Sequence, residues 1–155
     1  MLQHADTLLA RSAINGYRLA NQRFIWGSNK MSAEEGVILC LAYRLTGEQK
    51  FFQAAVAQLD YLLGRNHFSK CFITGVGSNP VVQVSHIFAR AKNLSIPGLM
   101  VGGPNTHAQS NIAPKNRGPL SYVDDARCYA TNEYAIDYNA SIIGLMVMVM
   151  EASIE

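Results

Sequence analysis

The sequence predicts an all-α fold whose helices are separated by long, site-building loops. Three observations lead there. Apolar residues recur at helical spacing in several segments. Two motifs, Ser32-Ala-Glu-Glu35 and Thr46-Gly-Glu-Gln49, have the form of a helix capping box. The stretch from Arg65 to Tyr138 is rich in Gly, Pro, Asn and Ser and carries no convincing long helix. A connection of that size inside a compact domain usually builds a functional site.

Taken in order, Leu2–Leu19 reads as the first helix, with Leu2, Ala5, Leu8, Leu9, Ala13 and Leu19 as its apolar stripe. Asn21–Asn29 breaks the pattern and holds the single tryptophan, Trp26, in front of a turn. The capping box at Ser32 opens a helix with Val37, Ile38, Leu41, Ala42 and Leu45 at helical spacing. The second box, at Thr46, marks the turn into another helix bearing Phe52, Ala55, Val56, Leu59, Leu62 and Leu63 on one face. Gly64 is a good C-terminal stop. So short a connection makes the two helices antiparallel neighbours. Arg65–Tyr138 is expected to form loops and short strands. Asn139–Glu151 returns to helix, apolar nearly all round, and a helix of that kind is buried in a larger packed body.

The chain has 155 residues, a one-domain length. Its composition, 49% hydrophobic and 15% charged, fits a globular chain with a large core. The net charge of +2 comes without a basic run or acidic tail, so no nucleic-acid footprint is indicated. No apolar run reaches the ~20 residues of a membrane span. Cys40, Cys71 and Cys128 are odd in number and form no Cys-x-x-Cys pair, so buried or free thiols are expected rather than a disulfide framework. His4, His67, His86 and His107 show no zinc spacing, and no metal site is expected. Gly75-Val-Gly77 lacks the third glycine of a dinucleotide loop, because Pro80 stands there; no cofactor is expected. Asn93-Leu-Ser95 and Asn139-Ala-Ser141 fit the glycosylation pattern, the second at the start of the expected final helix.

The densest chemistry lies between Tyr122 and Ala140, which together hold four acids, four tyrosines and two asparagines and lead into the apolar final helix. Acids among aromatic rings and beside an apolar wall gain from staying protonated, since burial disfavours the charged form. A carboxyl protonated at neutral pH can act as a general acid. Tyrosines supply flat faces and hydroxyls that suit sugar rings. A bland alternative is an acidic, tyrosine-rich loop that only caps a helix.

The spacing of Tyr122, Asp124, Tyr129, Glu133, Ala135, Asn139 and Ala140 resembles the C-terminal active-site signature of family 9 glycoside hydrolases, with all seven fixed positions filled. Upstream stretches agree in order. Phe24-Ile-Trp-Gly-Ser-Asn29 is similar to the family's entry to a barrel helix, Leu59-Asp-Tyr-Leu-Leu-Gly-Arg-Asn66 to a helix end, Phe72-Ile-Thr-Gly-Val-Gly-Ser-Asn79 to its Gly-rich loop, and Pro97-Gly-Leu-Met-Val-Gly-Gly-Pro-Asn105 to its Gly-Gly-Pro-Asn segment.

The resemblance implies the C-terminal portion of an (α/α)6 barrel, so residues 1–155 are expected to be a partial family 9 catalytic domain. It implies inverting hydrolysis of β-1,4 glycosidic bonds in an oligo- or polysaccharide. A carboxylic acid protonates the leaving oxygen while a carboxylate about 6.5–9.5 Å away activates water. On this map Glu133 is the general acid and Asp124 its electrostatic and hydrogen-bonding support. Tyr122 and Tyr129 line the sugar subsite. The family's base lies in an Asp-Ala-Gly-Asp segment, and this sequence has none; Asp6 and Asp60 sit in helical patterns instead.

A second departure concerns the Gly-rich loop. The family's sugar-binding histidine falls on Ser85 and its arginine on Ile87, with His86 adjacent and Arg90 as a substitute from another backbone position. Val84-Ser-His-Ile-Phe-Ala-Arg90 is also similar to the family branch that releases glucosamine from chitosan-type oligosaccharides, so the sugar stays open between glucose and glucosamine. Trp26 is either core or sugar platform. The missing base leaves a non-catalytic, carbohydrate-binding fragment as the alternative function. The apolar final helix is expected to need the upstream part of the barrel or self-association.

Overall fold

The computed structural model describes residues 1–92, 94 and 96–154. Its helices are α1 (Leu2–Ser12), α2 (Ser28–Thr46), α3 (Gln49–Leu63), α4 (Ile87–Lys92), α5 (Tyr129–Asn132) and α6 (Ile136–Ala152), with a single 3-10 turn at Gly118–Leu120. Helix α2 is the centre: it packs along α3 and α6, and α1 lies across α2 and α3. The closest approach is at Gly36, where a Cβ would come within 2.8 Å of both Leu145 methyls and 3.3 Å of Gln58 Cβ. Any larger residue there would wedge α2 away from α6. Leu39, Phe51, Tyr61, Leu62, Phe72, Met100 and Leu145 fill the core these helices share.

The first helix ends at Ser12, not Leu19. Asn15 causes the early stop: its side chain takes both the N–H (3.0 Å) and the C=O (2.8 Å) of Leu19, which competes with helix continuation. The following segment is tied to α3 by Gln58, fully buried, which accepts from the Ala20 N–H (2.8 Å) and donates to the Arg18 carbonyl (2.9 Å). A buried amide with its hydrogen bonds made is tolerated in a core; an unpaired one is not.

Helix α2 begins at Ser28 rather than Ser32. Ser32 is interior, and its hydroxyl donates back to the Ser28 carbonyl at 3.0 Å. The antiparallel hairpin of α2 and α3 forms across Gly47 and Glu48. Thr46 does not make a reciprocal capping box there; its hydroxyl donates to the Ala42 carbonyl and accepts from the Glu48 N–H. Helix α6 starts at Ile136, three residues before the expected Asn139, because Ala135 is extended and Asn139 donates back to the Ala135 carbonyl.

Within this chain α6 is covered on one side only. Tyr138, Ile142, Leu145 and Val149 are buried against α2 and α3, whereas Ile136, Ile143, Val147 and Met150 face outward, Ile136 with 93% of its surface free. At its end Glu151 pairs with Arg44 of α2.

The long loop region contains no strand among the described residues, only isolated bridges at Cys71–Pro80, Ile73–Met100 and Val101–Tyr134. The expected short strands are thus single ladder contacts. Cys40, Cys71 and Cys128 are buried free thiols. Of the two glycosylation patterns, Asn93 and Ser95 lie outside the described residues, and Asn139 has its amide oxygen committed to the Met100 N–H at 3.0 Å. Among the described residues no helix is long and apolar enough to cross a membrane.

Candidate active site

Three segments distant in sequence converge at the N-terminus of α2. Asn29 N–H donates to the Gly102 carbonyl (3.0 Å), its side-chain amide to the Val101 carbonyl (2.9 Å), and the Ser28 hydroxyl to the Pro104 carbonyl (2.7 Å). Residues 100–104 in turn hold the segment around Glu133: Gly102 N–H donates to the Glu133 carbonyl (2.8 Å) and Gly103 N–H to that of Thr131 (2.9 Å). Gly103 sits at φ +85° directly against the Asn29 side chain, where a Cβ has no room. Left-handed backbone and close approach both demand glycine here.

Glu133 caps α5 in an extended conformation, with its N–H bonded to the Tyr129 carbonyl at 3.2 Å. The main chain is therefore fixed at both its amide groups. The residue is half-buried, and its carboxyl makes no ion pair among the described residues. A carboxyl held on a rigid backbone and left unpaired is free to exchange a proton with a bound molecule.

The aromatic residues divide into two groups. Tyr129 and Trp26 are exposed, 42% and 40%, with ring centroids 5.9 Å apart and planes tilted by 38°. The Tyr129 hydroxyl donates to the Gln109 carbonyl at 3.2 Å. Together the rings form an exposed aromatic surface at the start of α5, the helix that Glu133 ends. Tyr122 does not belong to it. It is 4% exposed, packs on Phe68 and Phe72, and spends its hydroxyl on Asn132 Oδ1 at 2.9 Å. Burial raises its pKa well above the usual tyrosine value. Tyr122 is core and has no free face for a sugar ring, which corrects the expectation that it lines the subsite.

Asp124 is held rather than free. Its carboxylate accepts from the Gln83 N–H (2.9 Å) and the Val82 N–H (3.2 Å), and pairs with Lys70 Nζ at 3.1 Å. The lysine offsets its negative field, so its contribution is hydrogen-bonded support of the 82–83 backbone. Beyond that point the loop delivers Ser85 and His86 to the Glu133 segment. Ser85 N–H donates to the Asn132 carbonyl (2.9 Å), and the His86 ring lies 5.4 Å from that of Tyr134. His86 Nδ1 accepts from the Ala89 N–H at 3.2 Å. Arg90 points elsewhere: exposed on α4, it lies near Asp125 and lines a cavity of about 140 Å³ with Gln83 and Ala126. Ile87 is 85% exposed.

The expectation that the acids of this stretch are kept protonated by burial does not hold for two of them. The Arg127 guanidinium beside Asp125 holds its carboxyl down at about 2. Lys30, 2.9 Å from Asp137, likewise lowers that group. Asp60 pairs with Arg65 on the far end of α3. Sequence reasoning missed Lys70 and Tyr134 as parts of the constellation. Lys70 gave no signal because its partners lie far along the chain, and Tyr134 was hidden among equivalent tyrosines.

The described residues form an α-helical scaffold, without strands, on which Glu133 ends α5 and the Trp26 and Tyr129 rings are exposed. The chain belongs to glycosyl hydrolase family 9, whose family model matches residues 4–146. It is similar to a xyloglucan-specific endo-β-1,4-glucanase of Bacteroides ovatus, 36% identical over 126 residues that cover 79% of this chain and 22% of that protein. It is also similar to endoglucanase C of Cellulomonas fimi, 31% identical over 92% of this chain and 14% of that protein. Among solved structures, a metagenome-derived glycoside hydrolase family 9 endoglucanase superposes with a TM-score of 0.91 at 38% identity, covering 98% of this chain and 28% of that one. The fold is thus a portion of the (α/α)6 barrel, and the chain spans between 14% and 28% of these relatives' length.

Proposed function

We propose that this chain carries the acid half of an inverting glycoside hydrolase acting on β-1,4-linked glucan. The observation that carries the reading is Glu133: a half-buried residue whose carboxyl makes no ion pair among the described residues, on a backbone hydrogen-bonded at its N–H and C=O, one helical turn from Tyr129 of the Trp26–Tyr129 pair. In the reaction Glu133 donates its proton to the glycosidic oxygen as the bond to the anomeric carbon breaks. A carboxylate on the opposite face takes a proton from the attacking water. Trp26 and Tyr129 stack on a sugar ring, and His86 with Ser85 approaches from the other loop. Asp124 acts through that loop. The relatives are glucanases and endoglucanases, which favours glucose over glucosamine as the unit.

The base is supplied by a family Asp-Ala-Gly-Asp segment, which this sequence lacks. The upstream barrel portion docks against the outward face of α6, Ile136, Ile143, Val147 and Met150, which otherwise drives self-association. The missing base and the Ser85–Ile87 departure support a second reading, a non-catalytic glycan-binding fragment.

The test is reducing-end release from cellotetraose and from chitosan disaccharide, by the 155-residue chain alone and with an upstream family 9 barrel portion added as a second polypeptide. Glu133→Gln is expected to lower turnover by about 10²–10⁴-fold while leaving the fold intact. Near-normal turnover in that variant refutes the role. Glycan binding without hydrolysis under either condition supports the second reading.

A further inference from the structure

We infer that Lys70 is a positioning residue for the sugar-binding loop, acting through Asp124; this rests on the functional reading above. Lys70 lies just before the Gly-rich loop, and its side chain is only 17% exposed. Its ammonium group has three N–H donors, and three acceptors surround it: Asp124 Oδ2 at 3.1 Å, the Pro80 carbonyl at 3.2 Å and Asn79 Oδ1 at 3.3 Å. The backbone of Lys70 is pinned as well, its carbonyl accepting from the Asn66 side-chain amide at 2.8 Å. A lysine so held is not a solvated surface charge. It joins residues 79–80, where the loop begins, to the acid that holds residues 82–83.

Asp124 passes the constraint on. Its side chain is 14% exposed, and its two oxygens are shared between Lys70 and the N–H groups of Val82 and Gln83. Val82 itself is 63% exposed and contributes little packing, so these charge-assisted hydrogen bonds are what fix the backbone there. From Gln83 the chain runs into Val84, which is buried, then to Ser85 on the Asn132 carbonyl and His86 beside Tyr134. Lys70 thus fixes one end of a short span whose other end presents His86 against Tyr134, the residue after Glu133. Removing the ammonium group takes away the contact that ties the Asp124 carboxylate to residues 79–80, and leaves its side chain freer to turn away from both amides.

The experiment compares the parent with Lys70→Met and Lys70→Arg by two independent readouts. Backbone amide hydrogen exchange, followed by NMR on the folded chain, reports the clamp whether or not the chain is active. In Lys70→Met, exchange at Val82 and Gln83 is expected to accelerate about tenfold or more, while amides of α2 and α3 keep their rates. Lys70→Arg, which retains the charge, restores much of the protection. In the hydrolysis assay with the added barrel portion, Lys70→Met raises KM for cellotetraose about fivefold or more with kcat changed less than about twofold, the pattern of lost substrate binding.

Unchanged exchange at Val82 and Gln83 overturns the proposal. Faster exchange with unchanged KM overturns the link from clamp to sugar. If Glu133→Gln keeps its activity while Lys70→Met loses the protection, the acid assignment fails and the clamp stands.

Discussion

Trp26 and Tyr129, from opposite ends of the chain, place their ring centroids 5.9 Å apart with both faces partly open to solvent. Neither neighbour in sequence explains this. The pair is assembled by Gly27 at the start of α2 and by the α5 turn, and the 100–104 segment binds both elements.

If that platform binds a sugar ring, Trp26→Ala is expected to weaken glycan binding by about 1–3 kcal/mol, the scale of burying a large aromatic contact. Tyr129→Ala is expected to cost less, because its hydroxyl is already used on Gln109. Titration of cellotetraose by calorimetry measures both. Equal affinity in the parent and in Trp26→Ala removes Trp26 from the subsite.

Gly103 is the least replaceable glycine of the site. Gly103→Ala places a methyl group inside the space of the Asn29 side chain at a backbone angle that L-residues avoid. A loss of at least about 2 kcal/mol is expected, read from the urea midpoint. Gly16→Ala, where nothing lies within 4 Å of the added carbon, is the control and is expected to change stability by less than about 1 kcal/mol. Equal midpoints for the two variants would show that the Asn29–Gly103 contact is soft.

Glu35 sets a pH dependence away from the site. It is 6% exposed, its Oε2 has no hydrogen-bond partner among the described residues, and burial raises its pKa from 4.5 to about 7 against the pull of Arg23 and Arg11. Glu34 and His4 line the same cavity of about 450 Å³. A carboxyl whose folded pKa exceeds its unfolded value favours the folded state most at low pH. That contribution is complete below about pH 4.5 and is lost as the pH rises through about 7, by up to about 3 kcal/mol. Glu35→Gln has no proton to lose. Denaturation at pH 5 and pH 8 should show the variant more stable than the parent only at the higher pH. A parent whose stability is flat over that interval would sink the assignment.

How far the sequence could be read follows the range of the interactions. The α2–α3 hairpin was legible because its apolar spacing is local, and the family because seven residues at fixed spacing carry its signature. The end of α1 was missed because one side chain, Asn15, outweighs a continuing apolar stripe. Tyr122 was misplaced because spacing cannot say which tyrosine faces inward; that is decided by Phe68, Phe72 and Asn132. The partners of Asp124, Lys70 and two loop amides, are long-range contacts that no periodicity encodes. The apolar face of α6 shows the same limit: an apolar sequence gives the need for burial and not its source.

The hydrogen bonds from Ser28 and Asn29 to residues 101–104 also govern the order of events in folding. They span 76 and 72 residues, whereas the α2–α3 hairpin closes through two. Closing a long loop carries an entropy cost that local helix pairing avoids. The helical frame is therefore expected to form first and the Glu133 region last. Trp26, the single tryptophan, stands at that junction and reports its closure. In stopped-flow refolding, helical circular dichroism should recover ahead of Trp26 fluorescence; a single shared rate would mean that frame and site condense together.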